Sequence, residues 1–257
     1  MRPAVVIAQA SLAEHKRRRL VLFFFVLSVL LTAPIVYLVR SRQFDELSRI
    51  SAAPRGLVAF ASVSALQLLA LVATLAVSMG NIGRPFASGE ALTILARPVA
   101  RWQFALGRLL ASAAAVVVFC LVLGVETAVV QLVAGGHEMG LLWAHWATFA
   151  FNMVVLVAIG TVISAIASNP VLVAVTTFFT YESVRAIGSV HALVTSGQVG
   201  GSVAQWFNVA WVVTPKFLSP PGTSGPLQTT PGLVLWAAAW LVALAGVATW
   251  LTSRKEV

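Results

Sequence analysis

Three ionisable side chains stand inside otherwise apolar runs: Glu126, Glu182 and Arg185. A charge at the centre of a bilayer costs about 2.5–3.5 kcal/mol on insertion scales, so such residues turn toward protein or water. Glu182 and Arg185 are three apart and share one face of a helix, where they can pair. Tyr181 adds a hydroxyl beside them. The group reads either as the polar lining of a transport path or as a self-satisfied pair that fixes helix packing. Glu126 falls in the outer half of its run, where it either snorkels outward or meets Arg185. Glu126 and Glu182 are also the only carboxylates that an intramembrane enzyme could use, and they would have to face each other across two spans.

Other reactive patterns are missing. There is no G-x-x-x-x-G-K-[ST], so the chain does not hold ATP in a P-loop, and no H-E-x-x-H. His15, His137, His145 and His191 are scattered over loops and span ends, which favours interfacial polar roles over metal ligation. Cys120, the single cysteine, excludes an intramolecular disulfide and any multi-cysteine metal site. Ser88-Gly89 lies outside the apolar runs with no histidine in a neighbouring pattern, which argues against a nucleophile. No catalytic residue, no metal site and no cofactor is expected in this chain.

The elements that carry these residues are apolar helices. Hydrophobic residues make up 59% of the 257 and charged residues 10%, with a mean hydropathy of +0.93; soluble domains carry about 25% charged residues. The whole chain, 1–257, reads as a single all-α polytopic membrane domain. Runs over 20–39, 57–79, 102–133, 143–168, 171–193 and 232–251 are each long enough to cross about 30 Å of hydrocarbon. The third is too long for one crossing, so its first turns, with Arg108, project beyond the bilayer. Arg40 to Arg55 is a polar loop, Gly135 to Glu138 a tight loop, Asn169-Pro170 a short turn and Ser219 to Pro231 a Pro/Gly/Ser/Thr-rich loop. Val199 to Leu218 is too broken for a span and reads as interfacial or re-entrant. A signal peptide is the rival reading of the first run. The basic cluster of 16–19 comes late for that, and Pro34 spoils the cleavage candidate near Thr32-Ala33.

The net charge of +9 sits beside the apolar runs, which points to membrane orientation and away from nucleic acid. Six spans put both ends on one side. That side holds eleven of the 17 Lys and Arg, the other side five, and Arg185 lies within a span. The bias places both termini in the cytosol, together with the stretch Arg84 to Arg108. This stretch is too polar to span. Ser88 is a plausible N-cap, Glu90 falls in the first turn, Ala91, Leu92 and Leu95 can share a face, and Pro98 stops the pattern. It reads as a short amphipathic helix, with a plain basic loop as the alternative. Ala4 to Ala13 forms a weaker amphipathic pattern suited to the interface.

The layout resembles the membrane subunit of type-two ABC exporters. The chain has a basic lead-in, two spans, then Glu90, Leu95, Arg97-Pro98, Arg101 and Gly107-Arg108, then four more spans. Members of that family carry a similar run of acid, leucine, proline, arginine and Gly-Lys between the second and third spans. Arg108 stands here in place of the lysine, which keeps the charge and alters the geometry. The resemblance covers the whole chain in layout and about 25 residues by motif.

It implies a permease subunit of an ATP-driven transporter, an exporter in the cytoplasmic (inner) membrane. Residues 84–101 would be the coupling helix, with Arg84, Glu90, Leu92, Leu95, Arg97 and Arg101 docking on a separate ATPase subunit dimer that binds Mg-ATP. Residues 4–19 would be the elbow helix and 194–231 the outer re-entrant pair, and a second permease copy or homologue would complete the assembly. Glu126, Tyr181, Glu182 and Arg185 would be the candidate path residues. The branch associated with copper-enzyme maturation looks closest, yet no Cys/Met/His cluster favours metal as cargo. A membrane anchor for an ATPase that acts mechanically is the alternative function.

Overall fold

Every regular element among the described residues of the computed structural model is an α-helix. Described are residues 3–17, 20–41, 53–89, 91, 94, 96, 99–134, 139–198, 200–215, 217–218 and 231–254. The helices are α1 (Pro3–Arg17), α2 (Leu20–Arg40), α3 (Ala53–Ser78), α4 (Gly83–Ala87), α5 (Arg101–Val133), α6 (Met139–Ile166), α7 (Pro170–Thr195), α8 (Gly201–Val213) and α9 (Pro231–Arg254). Glu90, Leu92, Leu95 and Arg97 lie outside the described residues, as do the tight loop 135–138, the loop 219–230 and most of the polar stretch after Arg40.

Among the described residues, five segments are long and apolar enough to cross a membrane: Ser62–Ala87, Arg101–Val133, Met139–Ile166, Pro170–Thr195 and Gly232–Arg254. Leu22–Tyr37 and Ala4–Ala13 are shorter apolar helical stretches. A bilayer offers no water to the backbone, so a spanning segment has to satisfy its own N–H and C=O groups, which a helix does. The polar side chains in these helices follow the same rule. Thr74, Thr127, Thr161, Thr177 and Thr252 each donate to the carbonyl four residues earlier, at 2.6–2.7 Å.

Helix boundaries depart from the sequence reading where local chemistry allows. α3 begins at Ala53, inside the stretch expected to be loop. Pro54 permits this, because in a first turn its missing N–H leaves no bond unmade. α6 starts at Met139 and ends at Ile166. Asn169 and Pro170 then open α7: the Asn169 Oδ1 accepts from the amides of Val171 and Leu172 at 3.0 and 3.4 Å.

The core is built on α5 and α6. α5 packs against α1, α2, α3, α6 and α9, and α6 against α3, α4, α5, α7 and α9. Of the spanning windows, 72% of that in α6 is buried but only 11% of that in α9. α6 is apolar all round and belongs inside; α9 lies on the outside of the bundle. The shared core includes Leu66, Ala70, Leu123, Met153, Leu156 and Val157. α1 lies across the start of α5. A Cβ at Gly107 would meet the Ala4 carbonyl oxygen at 2.8 Å and Ile7 at 2.9 Å, so only glycine permits this approach.

Candidate functional site

Two polar regions occupy opposite ends of the bundle. The first surrounds the turn between α3 and α4. Asn81 is buried there, and each end of its amide is used: Nδ2 donates to Thr161 Oγ1 at 2.7 Å, and Oδ1 accepts from Ser112 Oγ at 2.9 Å. Ser164 Oγ accepts from the amides of Ile82 and Gly83 at 3.0 and 2.9 Å. Arg108, only 3% exposed, donates to the Asn81 carbonyl at 3.5 Å and lies 5.3 Å from the Phe104 ring centroid. A Cβ at Gly83 would meet the carbonyls of Ala167 and Ser164 at 2.6 and 2.8 Å. The turn is therefore pinned to α5 and to the end of α6.

The stretch after this turn lies against α1 and α5. Ile7, Ala91 and Phe104 form a small core, flanked by Phe86, Ile94 and Val99. Phe86 and Phe104 meet edge to face at 5.9 Å. Ser88, read from the sequence as an N-cap, closes α4 instead: its amide donates to the Arg84 carbonyl at 2.9 Å and its hydroxyl to that of Pro85 at 3.4 Å. Gly89 follows at φ 76°, a left-handed turn residue that ends the helix. Arg84 is exposed. Arg101 reaches the Ser253 carbonyl at 3.3 Å, at the end of α9, where Arg254 lies 4.2 Å from the Trp250 ring centroid.

The second region is a cavity of about 610 Å³ between α3, α6, α7 and α8, bordered also by residues 217–218. Tyr181, Glu182 and Arg185 line it together. Glu182 and Arg185 meet at 3.5 Å, with side chains 42% and 57% exposed. The Arg185 guanidinium also lies 5.5 Å from the Tyr181 ring centroid. Gln67 and His145 are hydrogen-bonded across the cavity wall. His191 stacks on Trp211 at 4.7 Å and bonds Asn208 at 3.1 Å, tying α7 to α8.

Phe217 and Leu218 are buried against this wall. Asn152 holds Leu218 by both backbone groups: Nδ2 donates to its carbonyl and Oδ1 accepts from its amide, each at 2.8 Å. Phe217 meets Tyr181 edge to face at 4.9 Å.

Glu126 does not line this cavity. Its carboxylate accepts from Ser28 at 2.8 Å and Thr32 at 2.9 Å, both on α2, and so fastens α2 to α5. Arg185, a partner considered for Glu126, is not among these contacts; the hydroxyls of α2 are the ones it meets. Glu126 and Glu182 therefore serve different helix contacts.

Asn81 and Asn152 were missed by sequence reasoning. The available signal was a lone asparagine in each apolar setting, since an amide there needs at least two partners. The sequence could not name those partners, which lie 31 to 80 residues away for Asn81 and 66 for Asn152.

A family model described as ABC-2 family transporter protein matches residues 13–195, more than two-thirds of the chain and everything from the end of α1 through α7. The chain belongs to the ABC-2 transporter family. It is a permease component of an ABC transporter and a multi-pass membrane protein, and its family works with an ABC ATPase component. No curated protein sequence matches it. The matched region of this ABC-2 permease holds both asparagines, the Glu182–Arg185 pair and the segment after α3; α8 and α9 follow it.

Proposed function

We propose that this permease has six spans, α2 being the first. In this reading both termini and the 84–101 segment are cytosolic, in a cytoplasmic (inner) membrane. Two copies, or one with a homologue, work with two ATPase subunits as an exporter. α1 serves as the elbow, and the 84–101 segment receives the push when ATP closes the ATPases. The observation that carries the reading is the lodging of that segment. Its described residues pack between α1 and α5, and the turn before it is hydrogen-bonded into α5 and α6. A push on a segment held this way moves the two central helices as a body, the kind of rigid switch that transporters use. The cavity at the opposite end, open in part and lined by polar and apolar side chains together, supports transport over purely mechanical anchoring, which needs no such space.

Two measurements test it. Single cysteines at Ser88 and Thr223, in a Cys120→Ala background, label from opposite sides with an impermeant maleimide; labelling from one face ends the six-span reading. Leu95→Asp leaves detergent stability nearly unchanged and abolishes co-purification of the ATPase, because truncating an anchor at a docking site typically costs about 2 kcal/mol or more. Full ATPase recovery with this variant removes the docking role of the segment.

A further inference from the structure

The cavity has a definite chemical gradient. Along α7 its wall runs from Phe178 through Tyr181, Glu182 and Arg185 to Ser189, a rise of about 16 Å. Leu71 and Phe178 line the apolar end, and Ser64, Gln67 and His145 join Ser189 at the polar one. Leu68 and Phe178 are 62% and 37% exposed on the outside of the bundle, between α3 and α7. In the single chain this rim is uncovered. A ligand that fits has an apolar end beside a strongly polar one and enters sideways.

The charges narrow its head. Glu182 and Arg185 sum to zero, and their 3.5 Å contact between half-exposed side chains is weak. An anionic head would pair with Arg185 and lie against Glu182; a cationic head would meet the reverse problem. A head with both charges supplies each side chain with a partner. A sugar is a poorer fit. Tyr181 is buried against Phe217 and Arg185, and Trp211 already has His191 stacked on it. Neither Tyr181 nor Trp211 therefore offers two open faces to a sugar ring.

We propose that the cavity binds a phospholipid-like amphiphile with a zwitterionic head, its chain along Leu68, Leu71 and Phe178 and its head between Glu182 and Arg185. This names the ligand class of the site in the permease reading and rests on that reading only for its role in transport. Binding itself requires no ATPase.

The test uses the full chain in nanodiscs of fixed lipid composition. Trace phosphatidylcholine or phosphatidylglycerol, with the same photoactivatable acyl chain, is crosslinked and the labelled peptides are mapped. The choline lipid labels the Leu68 and Phe178 peptides about five-fold more than the glycerol lipid, a difference near 1 kcal/mol. At Val242, 72% exposed on α9, the two label equally. Glu182→Gln leaves Arg185 unopposed and reverses the preference toward the anionic lipid, which a merely structural role for Glu182 would not do. Equal labelling of the cavity peptides by both lipids in the wild type means annular lipid only and overturns the proposal, as does a choline preference that survives Glu182→Gln. The wild-type comparison decides even where the variant fails to fold. Failure of the wild-type chain to co-purify an ATPase would sink the transporter reading and leave this result untouched.

Discussion

Around Asn81, five polar side chains of the α3–α4 turn, α5 and α6 are buried and bonded to their surroundings. Around Arg185, the polar side chains border open volume, and the one ion pair is long and half exposed. In the first region each of these side chains is buried with a partner, so it fixes geometry. The second has capacity to spare, so it can take a ligand. The contrast shows that a polar residue in a span is not by itself a sign of a transport path. What matters is whether its bonds are already made.

The contrast predicts a ranking of mutational effects. Asn81→Ala should have the largest. It strands the Ser112 hydroxyl in a buried site and removes a partner of Thr161, at about 1–3 kcal/mol per stranded group. Unfolding in mixed detergent micelles should show a loss of about 3 kcal/mol. A loss below about 1 kcal/mol would erase the distinction between the two regions.

Asn152→Leu comes next and should act locally. It frees the amide and carbonyl of Leu218, so the 217–218 segment opens while the bundle stays folded. Hydrogen exchange at the Leu218 amide should quicken about thirty-fold, equivalent to roughly 2 kcal/mol. Unchanged exchange would show that Phe217 packing alone holds the segment in place.

The smallest effect is expected at the Glu182–Arg185 pair. A double-mutant cycle with Gln at each position should give a coupling of about 1 kcal/mol or less, the range of exposed pairs. Single-variant losses far above the double would mean that the pair is shut away from water, and the second region would then resemble the first.

Much of this was legible from residues alone. Apolar runs near bilayer length leave the backbone one economical conformation, so an all-helical membrane chain follows from composition and run length. The grouping of Tyr181, Glu182 and Arg185 is also local, since one helical turn separates them. So is the cap that Asn169 and Pro170 give α7, although the sequence reading saw only a short turn there.

Tertiary structure decided the rest, because the partners are far apart in sequence. Glu126 found Ser28 and Thr32 almost a hundred residues earlier, a choice set by how α2 lies on α5. Ser88 ended a helix where the pattern marked a beginning, because the α3–α4 turn is held by Ser164 of α6 and winds the next residues before Ser88 is reached. Helix periodicity fixes which residues share a face, but it does not fix which faces meet. That choice depends on packing at contacts such as Gly107 against α1, and only the assembled bundle makes it.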